Sequence, residues 1–233
     1  MSSQPAGLQC SLLLVLAVLA APAHAGRPFS TEDTGVLEPR DCEWEGFSAR
    51  LKSPGADTAR ALSTQLACGL GLRTQLGLAY GQAKAGGDTA RSLGLNGKTR
   101  LGGDSKAPLQ WTLAWGAAAL KEPGSSFKFD TVYANLVASQ VYGNGWTAHA
   151  NLGTAHSRLG HQASTTWALA AEKAVGAGVD LGAELYGDDR SEPWVGLGVR
   201  WAASDAISVN ASWARQGGSN GARLVSAGFK LAF

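Results

Sequence analysis

The sequence predicts an all-β protein: a transmembrane, antiparallel up-and-down β-barrel of about twelve strands, preceded by a cleaved signal peptide. Three observations predict it. Residues 1–25 read as a secretion signal, the segments after Cys42 alternate apolar with polar or small residues, and the last strand ends on Phe233 without a polar tail. The 31 glycines and 8 tryptophans, set against one methionine and 16% charged residues, suit strands and tight turns better than helices. Beyond the signal, no apolar run reaches the ~18 residues of a spanning helix. That excludes helical spans only, because barrel strands carry their apolar residues at alternate positions.

Residues 1–25 contain no Asp, Glu, Lys or Arg, and an apolar block from Leu12 to Ala21 precedes Ala23-His24-Ala25, an A-x-A cleavage site. Cleavage before Gly26 is expected. The usual basic n-region is missing, so either the Met1 amine supplies its charge or the start codon lies elsewhere. Cys10 precedes the apolar block and is no lipobox cysteine. The expected organisation is a signal peptide over 1–25, an irregular periplasmic leader over 26–41 and an outer-membrane barrel over 42–233. The leader has two prolines and no alternation.

From Cys42 onward, strand-like segments fall near 42–51, 60–70, 73–83, 90–101, 109–121, 128–142, 145–159, 165–175, 178–187, 194–203, 206–216 and 222–233. An even count returns both ends to the periplasmic side. Gly71-Leu72, Gly143-Asn144, Gly176-Ala177 and Ser204-Asp205 read as tight periplasmic turns, and 52–59, 84–89, 122–127, 160–164, 188–193 and 217–221 as longer external loops. The long 102–108 connection breaks that pattern, which leaves the register over 83–127 the least defined.

Period-two parity sorts each strand into two faces. One face carries sets such as Leu76, Leu78 and Tyr80 or Val195, Leu197, Val199 and Trp201; the other carries Asn96, Lys98 and Arg100 or Asp180, Gly182, Glu184 and Tyr186. A soluble sandwich shows the same alternation turned inside out. The signal peptide, the terminal Phe and the tryptophans favour the membrane. Trp44, Trp146 and Trp201 fall near periplasmic strand ends and Trp167, Trp194 and Trp213 near outer ends, as two aromatic girdles would, although Trp194 has inward parity.

The terminal strand resembles the C-terminal assembly signal of bacterial outer-membrane barrels, which implies Phe233 as the signal and the barrel-assembly machinery as a partner. A second resemblance sits at the leader. Arg27, Pro28, Phe29, Thr31, Glu32, Asp33 and Gly35, followed by Glu43 and Glu45, match the mature N-terminus of outer-membrane barrels catalogued as phenol-degradation (meta-pathway) or transporter-like proteins. Ala67 to Tyr80 and Ala171 to Arg215 are similar to that family's strand-turn-strand units, and the likeness thins between Ala83 and Pro123. The resemblance implies passive passage of small solutes, aromatic or hydrophobic ones among them.

Candidate lumen residues are Lys98, Arg100, His149, Glu184, Arg200 and Lys230, with Glu43, Glu45, Glu172 and Asp180 beside them. Charges of both signs inside a narrow barrel must pair or stay wet. Two readings follow: a pore lining that selects small solutes, or a closed structural barrel plugged by salt bridges. Twelve strands lie between the barrels that side chains fill and those that hold a channel.

No enzyme is expected. His149 is followed two residues on by Asn151 where a same-face serine nucleophile would stand, and His156 and Ser157 have opposite parity. No His, Cys and carboxylate cluster has metal spacing, so neither metal nor cofactor is expected. A net charge of +2 argues against a nucleic-acid partner; the partners implied are outer-membrane lipid and a small-molecule solute. Cys42 and Cys68 are equidistant from Gly55, which sets them opposite each other in the first hairpin and allows a disulfide if the register does not slip. Finally, Arg27, Glu32 and Asp33 give the leader charges that suit a gate folded up against Lys98, Arg100 or Arg200; the alternative is a leader lying outside the lumen.

Overall fold

In a computed structural model, residues 29–104, 106–218 and 221–233 are described. The expected signal peptide over 1–25 and the gate candidate Arg27 lie outside the described residues. The remainder forms twelve strands: β1 (Cys42–Lys52), β2 (Ala59–Gly71), β3 (Thr74–Ala85), β4 (Asp88–Gly102), β5 (Leu109–Lys121), β6 (Lys128–Val141), β7 (Trp146–Ser157), β8 (Gln162–Gly176), β9 (Val179–Asp188), β10 (Trp194–Ala202), β11 (Ile207–Gln216) and β12 (Arg223–Ala232). Each pairs with its sequence neighbours, and β12 returns to β1, so the sheet is a closed barrel. At the seam, Cys42 N–H donates to Phe233 O (2.8 Å) and Phe233 N–H to Cys42 O (2.9 Å). Closure leaves no exposed sheet edge.

Closure also settles which parity faces in. Gln65, Asn96, Thr112, Glu172 and Asn210 are buried in the lumen, whereas Leu66, Leu78, Leu169, Leu197 and Val225 are exposed on the outer wall. An apolar exterior around a polar interior is the pattern of a barrel solvated by lipid. Trp44, Trp111, Trp146 and Trp201 ring the outer wall near the end that carries the C-terminus, and Trp44 packs edge-on to Phe229 with ring centroids 5.3 Å apart. Trp194 leaves the predicted girdle. It points inward, is buried, and stacks on Tyr186 with centroids 6.1 Å apart.

The middle of the barrel contains the irregularities that blur its pattern in the sequence. Leu101 is the extra residue between the Arg100–Thr112 and Gly102–Trp111 pairs, and Asp130 between Ala118–Thr131 and Ala119–Phe129. Each such bulge shifts the parity by one residue. The external loop expected over 84–89 is only a two-residue turn: β3 runs to Ala85 and β4 starts at Asp88, because Gly86 (φ 57°) and Gly87 (φ 92°) adopt the left-handed conformations that a tight hairpin demands.

Of the two placements open to the leader, the described residues take the one inside the lumen. From Arg40 back to Phe29 the chain runs inside the barrel. At the base Arg40 N–H bonds Gly69 O (3.3 Å), Gly69 N–H bonds Asp41 O (2.9 Å), and Pro39 bridges Gly69 in parallel. Any side chain on Gly69 would strike the carbonyl oxygens of Leu37 and Glu38, so the glycine is what lets the leader cross the wall closely.

Candidate functional site

The lumen has two zones. Its outer end is apolar, lined by Leu51, Ala83, Trp194 and Ala214 with Tyr186 and Leu224 packed against them. Its other half is polar and holds the leader. Among the described residues, the leader's backbone bonds to wall backbone gather at Gly69; beyond that point wall side chains take the place of a neighbouring strand.

The leader's peptide groups are bound one after another. Gln75 Oε1 accepts from Leu37 N–H (2.8 Å), and Arg100 Nη2 donates to Val36 O (3.4 Å). Thr112 Oγ1 donates to Thr34 O (2.9 Å), while Ser139 Oγ accepts from Thr34 N–H (3.2 Å). Asn151 holds both groups of one residue, accepting from Glu32 N–H (2.7 Å) and donating to Glu32 O (3.0 Å). Glu184 ends the row by accepting from Ser30 N–H (3.1 Å), Thr31 N–H (2.9 Å) and Thr31 Oγ1 (2.9 Å). Beyond it, Phe29 lies buried against Gly182, where a Cβ would collide with its ring.

Charge follows the same geometry. Lys98 on β4 meets Glu32 Oε2 at 3.3 Å and Asp33 Oδ1 at 3.1 Å, and also donates to Asp33 O (3.1 Å). Arg100, two residues along β4, lies 3.8 Å from Glu38. Glu184 stands on β9, five strands away in a ring of twelve and so on the facing side. The leader therefore turns its carboxylates to a cationic wall and the N–H groups of Ser30 and Thr31 to the anionic Glu184 on the other side. Both ions of the Lys98–Glu32 pair are almost fully buried, and losing one partner of such a pair costs about 3–5 kcal/mol.

The six lumen residues proposed from the sequence thus divide. Lys98, Arg100 and Glu184 touch the leader directly. His149 is one step removed: its Nδ1 bonds Ser139 Oγ at 2.7 Å, and its Nε2 lies 3.8 Å from Glu172 Oε1. Arg200 pairs with Asp180 on the wall (2.6 and 3.0 Å), and Lys230 with Glu43 (3.7 Å). Ser139, His149 and Glu172 form a Ser–His–acid row across β6, β7 and β8 that reading along single strands overlooks. At 3.8 Å the His–Glu separation exceeds a hydrogen bond, and the serine oxygen already receives Thr34 N–H, so the row anchors the leader. Ser139, Thr112 and Gln75 were not singled out in the sequence, and Gly182 was named there only as part of an inward face. Their inward parity is the signal that marks them.

Cys42 and Cys68 are bonded, with Cα atoms 4.1 Å apart, and share the outer-wall parity of Trp44 and Leu66 beside the leader's entry point. Phe233 is 72% exposed at the same end.

A closed barrel, apolar outside and polar within, with a segment of its own chain through the lumen, defines the class: a membrane-spanning β-barrel of the outer-membrane type. No family model matches the chain, and no curated protein matches it. Among solved structures it is similar to an outer membrane channel from Pseudomonas putida F1 (TM-score 0.61, 11% identity, 86% of this chain and 98% of that one covered). It is also similar to the KdgM porin in complex with disordered oligogalacturonate (0.60, 7%, 82% and 99%) and to the NanC porin (0.58, 9%, 81% and 98%). At these identities the likeness is one of fold.

Proposed function

We propose that the protein is a passive, non-catalytic outer-membrane channel for small solutes, with residues 29–38 as its gate. The observation that carries the proposal is how the leader is held: individual side-chain bonds bind it in the lumen, and the wall behind it is already closed by the complete β1–β12 ladder. Withdrawal breaks no strand pairing and leaves the inner half of the lumen as a polar cavity, lined by Lys98 and Arg100 on one side and Asp180 and Glu184 on the other, beneath the apolar outer zone. The KdgM and NanC folds support a channel reading, and the first of these carries oligogalacturonate in its solved complex. The match of Arg27 to Gly35 with phenol-degradation or transporter-like barrels suggests aromatic solutes, and the stack of Tyr186 on the buried Trp194 makes the outer zone of the lumen aromatic in character. Phe233, which bonds Cys42 at the seam, is the proposed handle for the barrel-assembly machinery.

The second reading, a closed structural barrel, is favoured by the Arg200–Asp180 and Lys230–Glu43 pairs, which neutralise part of the wall without the leader. Planar-bilayer recording of the refolded chain from Gly26 separates the two. Brief current steps in the intact chain that become long-lived once residues 26–38 are removed establish the gated channel; a folded barrel that stays silent after that removal establishes the structural one.

A further inference from the structure

The outer wall carries a second ordered array of charge, at the end opposite the leader's entry. Lys84, Arg60 and Arg50 are direct cross-strand partners on β3, β2 and β1. One step nearer the rim, Lys52, Arg223 and Arg215 are direct partners on β1, β12 and β11. All six are exposed, and each has the parity of the lipid-facing leucines and valines below it, such as Leu62, Val225 and Leu78. Two rows of three cations thus lie side by side across five adjacent strands and span the barrel seam.

Like charges placed directly opposite on neighbouring strands destabilise a sheet. A lone cation at a membrane rim is ordinary, because its aliphatic stem lies along the apolar band while its head reaches water. Four successive like-charge pairs are not. Among the described residues no carboxylate lies within ion-pair distance of any of the six, although Asp57 stands in the β1–β2 turn and Asp88 at the start of β4. The repulsion is therefore left for something outside the chain to neutralise, directly above an acyl-chain surface.

We propose that this patch binds the headgroup of an outer-leaflet lipid that carries two phosphates, one seated over the Lys84–Arg60–Arg50 row and the other over the Lys52–Arg223–Arg215 row. Guanidinium groups present paired donors that fit phosphate oxygens, and four of the six cations are arginines. Arg50 and Lys52 are two residues apart on one strand, about 7 Å, and the row centres Arg60 and Arg223 stand two strands apart, about 10 Å, so the rows lie about 12 Å apart centre to centre. The acyl chains of such a lipid would lie down the apolar wall between Leu62 and Val225. Occupancy would clamp β12 to β1 from outside, independently of whether the lumen conducts.

The test uses the refolded chain from Gly26 in detergent micelles, with bis-phosphorylated lipid A as probe and its mono-phosphorylated form and phosphatidylcholine as comparisons. Native mass spectrometry reads how much of each is retained on the folded barrel. We expect selective retention of the bis-phosphorylated lipid, and a loss of at least tenfold in the R50Q/R60Q/R223Q variant. A K173Q variant, altered at the opposite rim, should retain the lipid normally. Equal retention of the mono-phosphorylated lipid overturns the two-phosphate site, and equal retention by the triple variant overturns the patch. A second measurement needs no variant: in the unmodified chain retention should fall steeply as sodium chloride is raised. Retention indifferent to salt would mean that acyl chains alone hold the lipid, and would overturn the proposal as well.

Discussion

At the scale of single residues, Glu184 holds the innermost end of the leader. One carboxylate receives three donors from Ser30 and Thr31, and each hydrogen bond to a charged group contributes about 1.5–3 kcal/mol. Part of that is returned when water solvates the emptied carboxylate. Glu184→Ala should weaken leader docking by about 2 kcal/mol, or roughly 30-fold in the undocked population. Proteinase K cleavage within residues 29–38 reads that population directly, and a rate equal to wild type would show that the leader is held elsewhere. Asn151→Leu separates backbone reading from charge, since it removes both bonds to Glu32 at similar volume while leaving Lys98 and its carboxylates in place. Its cleavage rate should also rise, by a smaller factor.

At the scale of elements, the strands were legible, and of the leader only the charges of Glu32 and Asp33 that meet Lys98 were. Period-two alternation marks a strand whose two faces meet different surroundings, and every strand here has lipid on one side and lumen on the other. The leader has no such asymmetry. Its order comes from Ser139, Asn151 and Glu184, which lie 105 to 153 residues further along the chain, and no local pattern encodes partners at that range. Bulges at Leu101 and Asp130 hid the register between β4 and β6 for a related reason: a single added residue inverts the parity that follows. Trp194 was legible by parity but not by its position at a strand end, and parity was the better guide.

Among the left-handed non-glycine positions, the β2–β3 turn has two in succession. The β2–β3 turn places Leu72 (φ 52°) and Arg73 (φ 58°) in the left-handed region, where neither residue is at ease, and Leu72 is 97% exposed with nothing to compensate it. Leu72→Asn with Arg73→Gly supplies the residues that such a hairpin turn favours and should stabilise the barrel by about 1–2 kcal/mol. Urea unfolding in micelles, followed by tryptophan fluorescence, checks it. An unchanged midpoint would show that the turn relaxes at no cost.

At the scale of the whole molecule, the barrel's closure depends on one neighbourhood. The Cys42–Cys68 bond, the Cys42–Phe233 backbone pair and the Gly69 anchor of the leader meet within the β12–β1–β2 corner. The disulfide spans 26 residues of sequence and should contribute about 3 kcal/mol by limiting the unfolded chain. C42S/C68S should lose that amount in urea unfolding, and a reducing agent should bring the wild type to the same midpoint. If the disulfide also fixes where the leader enters, leader cleavage will rise in the variant under conditions where the barrel is still fully folded. Unchanged cleavage would confine the bond to stability.

The anchor at Gly69 gives the leader one more property. A plug fixed by one end inside its own receptor is a ligand that cannot be diluted; short flexible tethers hold their cargo at effective concentrations in the millimolar range. The bound fraction is then set within each molecule and is the same whether barrels are sparse or crowded. A diffusing solute that competes for the same wall groups must match that local concentration: below about a millimolar, multiplied by the leader's own advantage in affinity, it finds the site taken. In the proposed channel, passage would therefore rise as solute becomes abundant and fall as it becomes scarce, without a sensor domain and without any second protein.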